Sequence, residues 1–158
     1  MIPDSLGSLD DIRWTPVDIL SDILVELVLQ SLENETALTE YYHLDNPESC
    51  QWSSLVPVIQ QYFSRLSSPD GGVTEGKLKV VSFKDWVNAL EESGRQKEVD
   101  VTKNPALKLL PFYAELSGGS GYAARLDTTE TRSRSETMRS LKAVNEEWMR
   151  LWLEQWKF

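Results

Sequence analysis

With 158 residues, 41% of them hydrophobic, and six tryptophans, the chain has the length and apolar content to bury the core of one domain spanning residues 1–158, which excludes disorder as its dominant state. Sixteen basic against 25 acidic residues give a net charge of −9, and no basic stripe with interleaved aromatics occurs, so nucleic acid is excluded as a partner. No apolar run approaches the roughly 18 residues of a membrane span, and Met1-Ile2-Pro3-Asp4 carries no basic leader region, so the expectation is a cytoplasmic protein with no membrane association; the single Cys50 cannot form an internal disulfide.

Along the chain, Thr15 is placed to cap a helix with Pro16 at its first position and Asp18 in its first turn. Val17, Leu20, Ile23, Leu24, Leu27 and Val28 recur at three and four, which predicts a helix to about Leu32 with one buried face. Tyr41-Tyr42-His43-Leu44, ended by Asp45-Asn46-Pro47, reads as a short strand stopped by a turn. Trp52, Leu55, Val56, Ile59, Phe63 and Leu66 have helical spacing, and Pro57 is tolerable if that helix begins near Trp52. A loop over 67–77 leads to a second strand, Lys79-Val80-Val81. Ser82 then caps a helix that carries Phe83, Trp86, Val87 and Leu90 and stops at Gly94. Strand, helix, strand, helix predicts a parallel crossover if both strands share a sheet. After a charged linker over 94–103, Asn104-Pro105 starts a helix with Leu107, Leu110 and Leu116, which Pro111 should kink. A Gly-Ser loop over 117–124 precedes a polar helix capped at Thr128 or Thr129 and leading to Met138 and Leu141. The tail repeats Val144, Trp148, Trp152 and Trp156 strictly at four, which reads first as core and second as a docking face. The fold class is therefore helix-rich α/β, with five to six helices and a few short strands.

Few residues in the chain carry chemistry. Gly119-Ser120-Gly121-Tyr122-Ala123-Ala124 satisfies a dinucleotide fingerprint in letters, but it follows a helix rather than the strand that would deliver phosphate to a helix N-terminus. His43, Asp45, Glu48 and Cys50 offer metal-ligand atoms within eight residues but lack a second Cys or His, so no metal is expected. His43 and Cys50 could form a nucleophile pair only with both side chains on one face and an orienting acid. Ser120 lacks the following glycine of a nucleophile elbow. No Tyr-x-x-x-Lys occurs: the residues four after Tyr41, Tyr42, Tyr62, Tyr113 and Tyr122 are Asp45, Asn46, Leu66, Ser117 and Leu126.

The ordered set of Ile12-Arg13-Trp14-Thr15-Pro16-Val17-Asp18, Tyr42-His43-Leu44 with Asn46-Pro47, Trp52-Ser53-Ser54-Leu55, Val80-Val81-Ser82, Asn104-Pro105-Ala106-Leu107-Lys108-Leu109-Leu110 with Phe112-Tyr113, Leu126-Asp127-Thr128 and the closing tryptophans resembles the C-terminal, substrate-binding portion of a thioester reductase domain. Such domains are of the extended short-chain dehydrogenase type and end fungal nonribosomal-peptide-synthetase-like enzymes with adenylation and carrier domains. The resemblance implies a half-fold without its Rossmann domain. It also implies a parent that uses NADPH and phosphopantetheine to release an acyl thioester as aldehyde or alcohol, with Trp14, Val17, Phe112 and Tyr113 on the substrate side. Neither catalytic nor cofactor-binding residues are expected in this chain, which alone should be inactive.

The implied partners are the nucleotide-binding half and an acyl carrier domain. Tyr41 to Leu44 would be left as an unpaired edge open to self-association. Two other function classes stay open: a standalone interaction module using this fold, and an enzyme of another type built on His43 and Cys50.

Overall fold

The computed structural model describes residues 1–33, 39–66, 78–95, 104–119 and 124–156. Its elements are β1 (Ile2–Pro3), β2 (Asp11–Ile12), α1 (Val17–Glu33), β3 (Cys50–Gln51), α2 (Trp52–Leu66), β4 (Val80–Val81), α3 (Phe83–Gly94), α4 (Leu110–Ser117), α5 (Thr129–Arg134), α6 (Glu136–Ser140) and α7 (Glu146–Trp156), with short 3-10 turns at Gly7–Leu9 and Pro105–Leu109. The helix-rich reading with a few short strands holds. The described residues gather into two compact units. No helix among them is long and apolar enough to cross a membrane.

The first unit comprises residues 1–10, 51–123 and 146–158. Its two-residue strands β1 and β4 pair in parallel, Ile2 opposite Val80 and Pro3 opposite Val81, with Ile2 N–H donating to Lys79 O at 2.9 Å. The second strand was thus legible, but its partner is the N-terminal Ile2–Pro3 rather than Tyr41–Leu44. The condition for a crossover between those two segments, a shared sheet, is therefore not met. Helix α2 begins at Trp52 and runs through Pro57. Its Trp52 indole N–H donates to Pro3 O at 2.9 Å, tying the helix to β1, while Leu55, Val56, Val58 and Ile59 are buried. Ser82 caps α3 by accepting the Asp85 N–H, and Asp4 Oδ1 accepts the Phe83 N–H at 3.1 Å. Phe83, Val87 and Leu116 form a cluster joined by Trp86, Leu110 and Tyr113. Pro111 does not kink a continuous helix. It sits in the first turn of α4, after a separate 3-10 turn that begins with Pro105.

Helix α7 packs on α2. The tryptophan stripe is not its centre: Met149 and Leu153 are buried, Trp148 and Trp152 are half-buried, and Trp156 is exposed. The three indoles succeed one another at 6.4 Å between centroids along the helix flank. Two i, i+4 rows lie side by side here, and the narrower side chains take the interior row. Trp152→Ala is accordingly expected to cost about 1–2 kcal/mol in urea unfolding, short of the roughly 3–5 of a fully buried aromatic.

The second unit comprises residues 11–50 and 124–145. Helix α1 starts at Val17, its first bond running from Leu20 N–H to Pro16 O, one residue later than the Thr15 cap implied. It buries Ile23 and Leu27 with Met138, Leu141, Val144 and Ile12 in the same unit, but Val17, Leu24 and Val28 of the expected core face are exposed. The polar helix expected after Thr128 is split at Ser135 into α5 and α6. Tyr41–Leu44 forms no strand. Tyr41 is 84% exposed, and the His43 carbonyl, which a strand partner would have taken, accepts the Thr131 hydroxyl at 2.7 Å instead.

Candidate functional site

The second unit differs from the first in what it buries. Among the described residues the four buried polar ones, Asn46, Thr128, Thr131 and Ser135, all belong to it, and none of those residues has a buried side-chain polar atom without a partner. The turn that Asp45-Asn46-Pro47 predicts is its centre. Fully buried Asn46 donates through Nδ2 to Trp14 O at 3.1 Å and to Lys142 O at 3.0 Å, and its Oδ1 accepts the Glu48 N–H at 3.0 Å. One side chain thus joins the chain before α1, the 46–48 turn and the segment after α6.

Beside it, Arg13 bridges Asp11 at 2.9 Å and Asp45 at 3.0 Å. The Asp11 carboxyl is held below its ordinary range, first by a hydrogen bond from Ser49 and then by Arg13. His43 Nδ1 meets Asp127 O at 2.7 Å, and Asp127 Oδ1 accepts the Thr129 N–H at 2.9 Å at the start of α5. Residues from these two stretches, including Asp45, Asn46, Arg125, Asp127 and Arg132, line a polar cleft of about 370 Å³. Arg13 is committed to its aspartates, whereas Arg125 and Arg132 carry no ion pair among the described residues. The cleft is thus mixed in charge: Arg132 and Arg125, whose guanidinium donates to Pro47 O at 3.3 Å, line it together with Asp45 and Asp127.

A second polar knot sits on α1. Glu26 accepts the Ser135 hydroxyl at 2.5 Å, the Thr137 hydroxyl at 2.5 Å and the Thr137 N–H at 3.2 Å, while Ser135 Oγ caps α6 through Met138 N–H. Burial pushes the Glu26 carboxyl up, but these donors together outweigh it and leave its pKa below the ordinary value. Sequence reasoning passed over Glu26, although one carboxylate between Val25 and Leu27 in an apolar helix is a recognisable signal.

The residues singled out for the substrate side fall in both units. Trp14 and Val17 are exposed in the second. Phe112, exposed, and Tyr113, half-buried, belong to α4 in the first, their rings 5.5 Å apart, with Tyr113 edge-on to Trp86 at 5.0 Å. Of the His43 and Cys50 pair, His43 is engaged with the Asp127 carbonyl. No cluster of three or more His, Cys, Asp or Glu placed to hold a metal occurs among the described residues. Residues 120–123 of the fingerprint-like segment lie outside the described residues; α4, a helix, does precede Gly119.

No family model matches the chain. Curated relatives do. It is 35% identical to a carboxylic acid reductase of Neurospora crassa over all of this chain and 14% of that protein. It is 31% identical to a citrinin polyketide synthase of Monascus purpureus, over 99% of this chain and 5% of that protein. With 3-methylorcinaldehyde synthase of a Phoma species the identity is 26%, again over 99% of this chain and 5% of that protein. The chain thus spans a small part of the length of each.

Proposed function

We propose that this chain, which belongs with the C-terminal portions of the thioester reductase domains of fungal carboxylic acid reductases and non-reducing polyketide synthases, is the substrate-binding part of an NADPH-dependent reductase that releases a carrier-bound acyl thioester as an aldehyde or alcohol. The observation that carries this reading is the end-to-end match at 35% identity to a carboxylic acid reductase. Exposed Trp14, Val17 and Phe112 suit the task, because an acyl chain gains by leaving water for apolar surface at about 25 cal/mol per Å². The partners are the nucleotide-binding half and an acyl carrier domain with its phosphopantetheine arm.

The NADPH site is assigned to the remainder of the reductase. A phosphate cradle needs a strand leading into its Gly-rich turn, and here α4 leads into Gly119. Hydride delivery and the donors to the developing oxyanion are accordingly assigned to the remainder of the reductase, and this chain's share is to bind and orient the acyl group. In the intact reductase, Trp14→Ala and Phe112→Ala are expected to raise KM for the acyl thioester about tenfold, with KM for NADPH unchanged. An effect on NADPH alone would overturn the assignment. For the isolated chain, calorimetric titration with NADPH is expected to show no saturable binding, and micromolar affinity would refute it.

A further inference from the structure

Helix α1 is apolar on two sides. Ile23 and Leu27 are buried in its own unit, whereas Leu24, Val25, Val28, Leu29 and Leu32 are 46% to 75% exposed. At about 100° per residue these five fill a sector of roughly 140° on nearly the opposite side from the buried pair. A helix at a water surface turns charge outward; from Leu24 to Leu32, about two turns, this one turns out an unbroken aliphatic stripe, the mark of an interaction surface, with exposed Ser21 and Asp18 following on the same side toward its start. The charged residues of α1 are Asp18, Asp22, Glu26 and Glu33, and it has no Lys or Arg.

We propose that this face of α1 is the docking surface for the remainder of the reductase polypeptide, which meets it with an apolar surface rimmed by Lys or Arg. The proposal rests on the reductase reading above. Two observations fix the occupant. In the relatives the matched segment is 14% or 5% of a single polypeptide, so most of the chain able to cover this stripe lies outside it. Charge does the rest. A second copy, net −9, would set the acidic ends of α1 against acidic ends in either orientation, and an anionic lipid surface would meet the same repulsion. A partner with a cationic rim around an apolar centre satisfies both the stripe and its edges.

The test compares binding of the remainder of the parent reductase, expressed separately, to this chain and to its Leu24→Lys/Val28→Lys variant. Both positions are exposed, so thermal unfolding of the variant should match that of the parent chain. Binding should weaken about a hundredfold, because two ammonium groups would be buried in the contact, while Tyr41→Lys, at a more exposed position off this face, should leave it unchanged. Undiminished binding of the double variant would overturn the docking face and leave the reductase reading standing. Failure of the unsubstituted chain to bind would bring down the reductase reading and the proposal with it. A dimer of this chain in sedimentation, dissociated by the double substitution, would make a second copy the occupant and overturn the proposal.

Discussion

Asn46→Ala is expected to destabilise the second unit by about 3–5 kcal/mol, a large share of the 5–15 that hold a typical domain together. The side chain has no exposed surface, and its amide serves three backbone groups from three segments, so truncation leaves the carbonyls of Trp14 and Lys142 and the N–H of Glu48 without their partner. Asn46→Asp keeps the shape but turns a carboxylate toward two carbonyl oxygens, and should be at least as damaging. Urea unfolding followed by far-UV circular dichroism measures both. A loss under about 1 kcal/mol for the alanine variant would mean that the turn is held by other contacts.

The second large effect is at Glu26. Glu26→Ala strands the hydroxyls of Ser135 and Thr137 and the Thr137 N–H and should cost about 2–3 kcal/mol, the range for hydrogen bonds to a charged acceptor. Its pH dependence has a definite sign. Because the folded-state pKa of Glu26 lies below the ordinary 4.5, its contribution is complete above that value and is lost as pH falls through the folded pKa. Asp11 and Asp127, also held low, add to the trend in the same direction. The gap between the parent chain and Glu26→Gln should therefore be widest above pH 5 and close on acidification. A gap independent of pH between 3 and 6 would show that the carboxylate charge is not what Ser135 and Thr137 bind.

The sequence made the long helices legible because their apolar residues repeat at three and four over several turns, as in α1, α2 and α3, and because Ser82 and Gly94 mark both ends of α3. Periodicity identifies an apolar row but not what covers it. On α1 it merged the buried Ile23 and Leu27 with the exposed Val17, Leu24 and Val28, and on α7 it favoured the tryptophans over the adjacent Met149 and Leu153. Strands of two residues have no period at all, so β1 was silent. Tyr41–Leu44 failed for another reason: its β-prone aromatics were outbid by hydrogen bonds to groups some eighty residues away, such as Thr131 to the His43 carbonyl. The polar site was half visible. Asp45-Asn46-Pro47 announces a turn, and Ile12-Arg13-Trp14 a motif, but the pairing of Glu26 with Ser135 and Thr137 joins residues more than a hundred positions apart.

The threading of the two units has a consequence for how such a chain can be made and inherited. One unit takes residues 1–10, 51–123 and 146–158, the other 11–50 and 124–145, so any break between residues 11 and 145 divides both. On the ribosome neither unit can close until its last piece has emerged: α1 waits for α5 and α6, and α2 waits for α7. Long loops must therefore be closed late, which slows folding and leaves apolar faces unprotected meanwhile. A recombination crossover between residues 11 and 145 would be expected to be punished, because it would draw each unit from two parents at once.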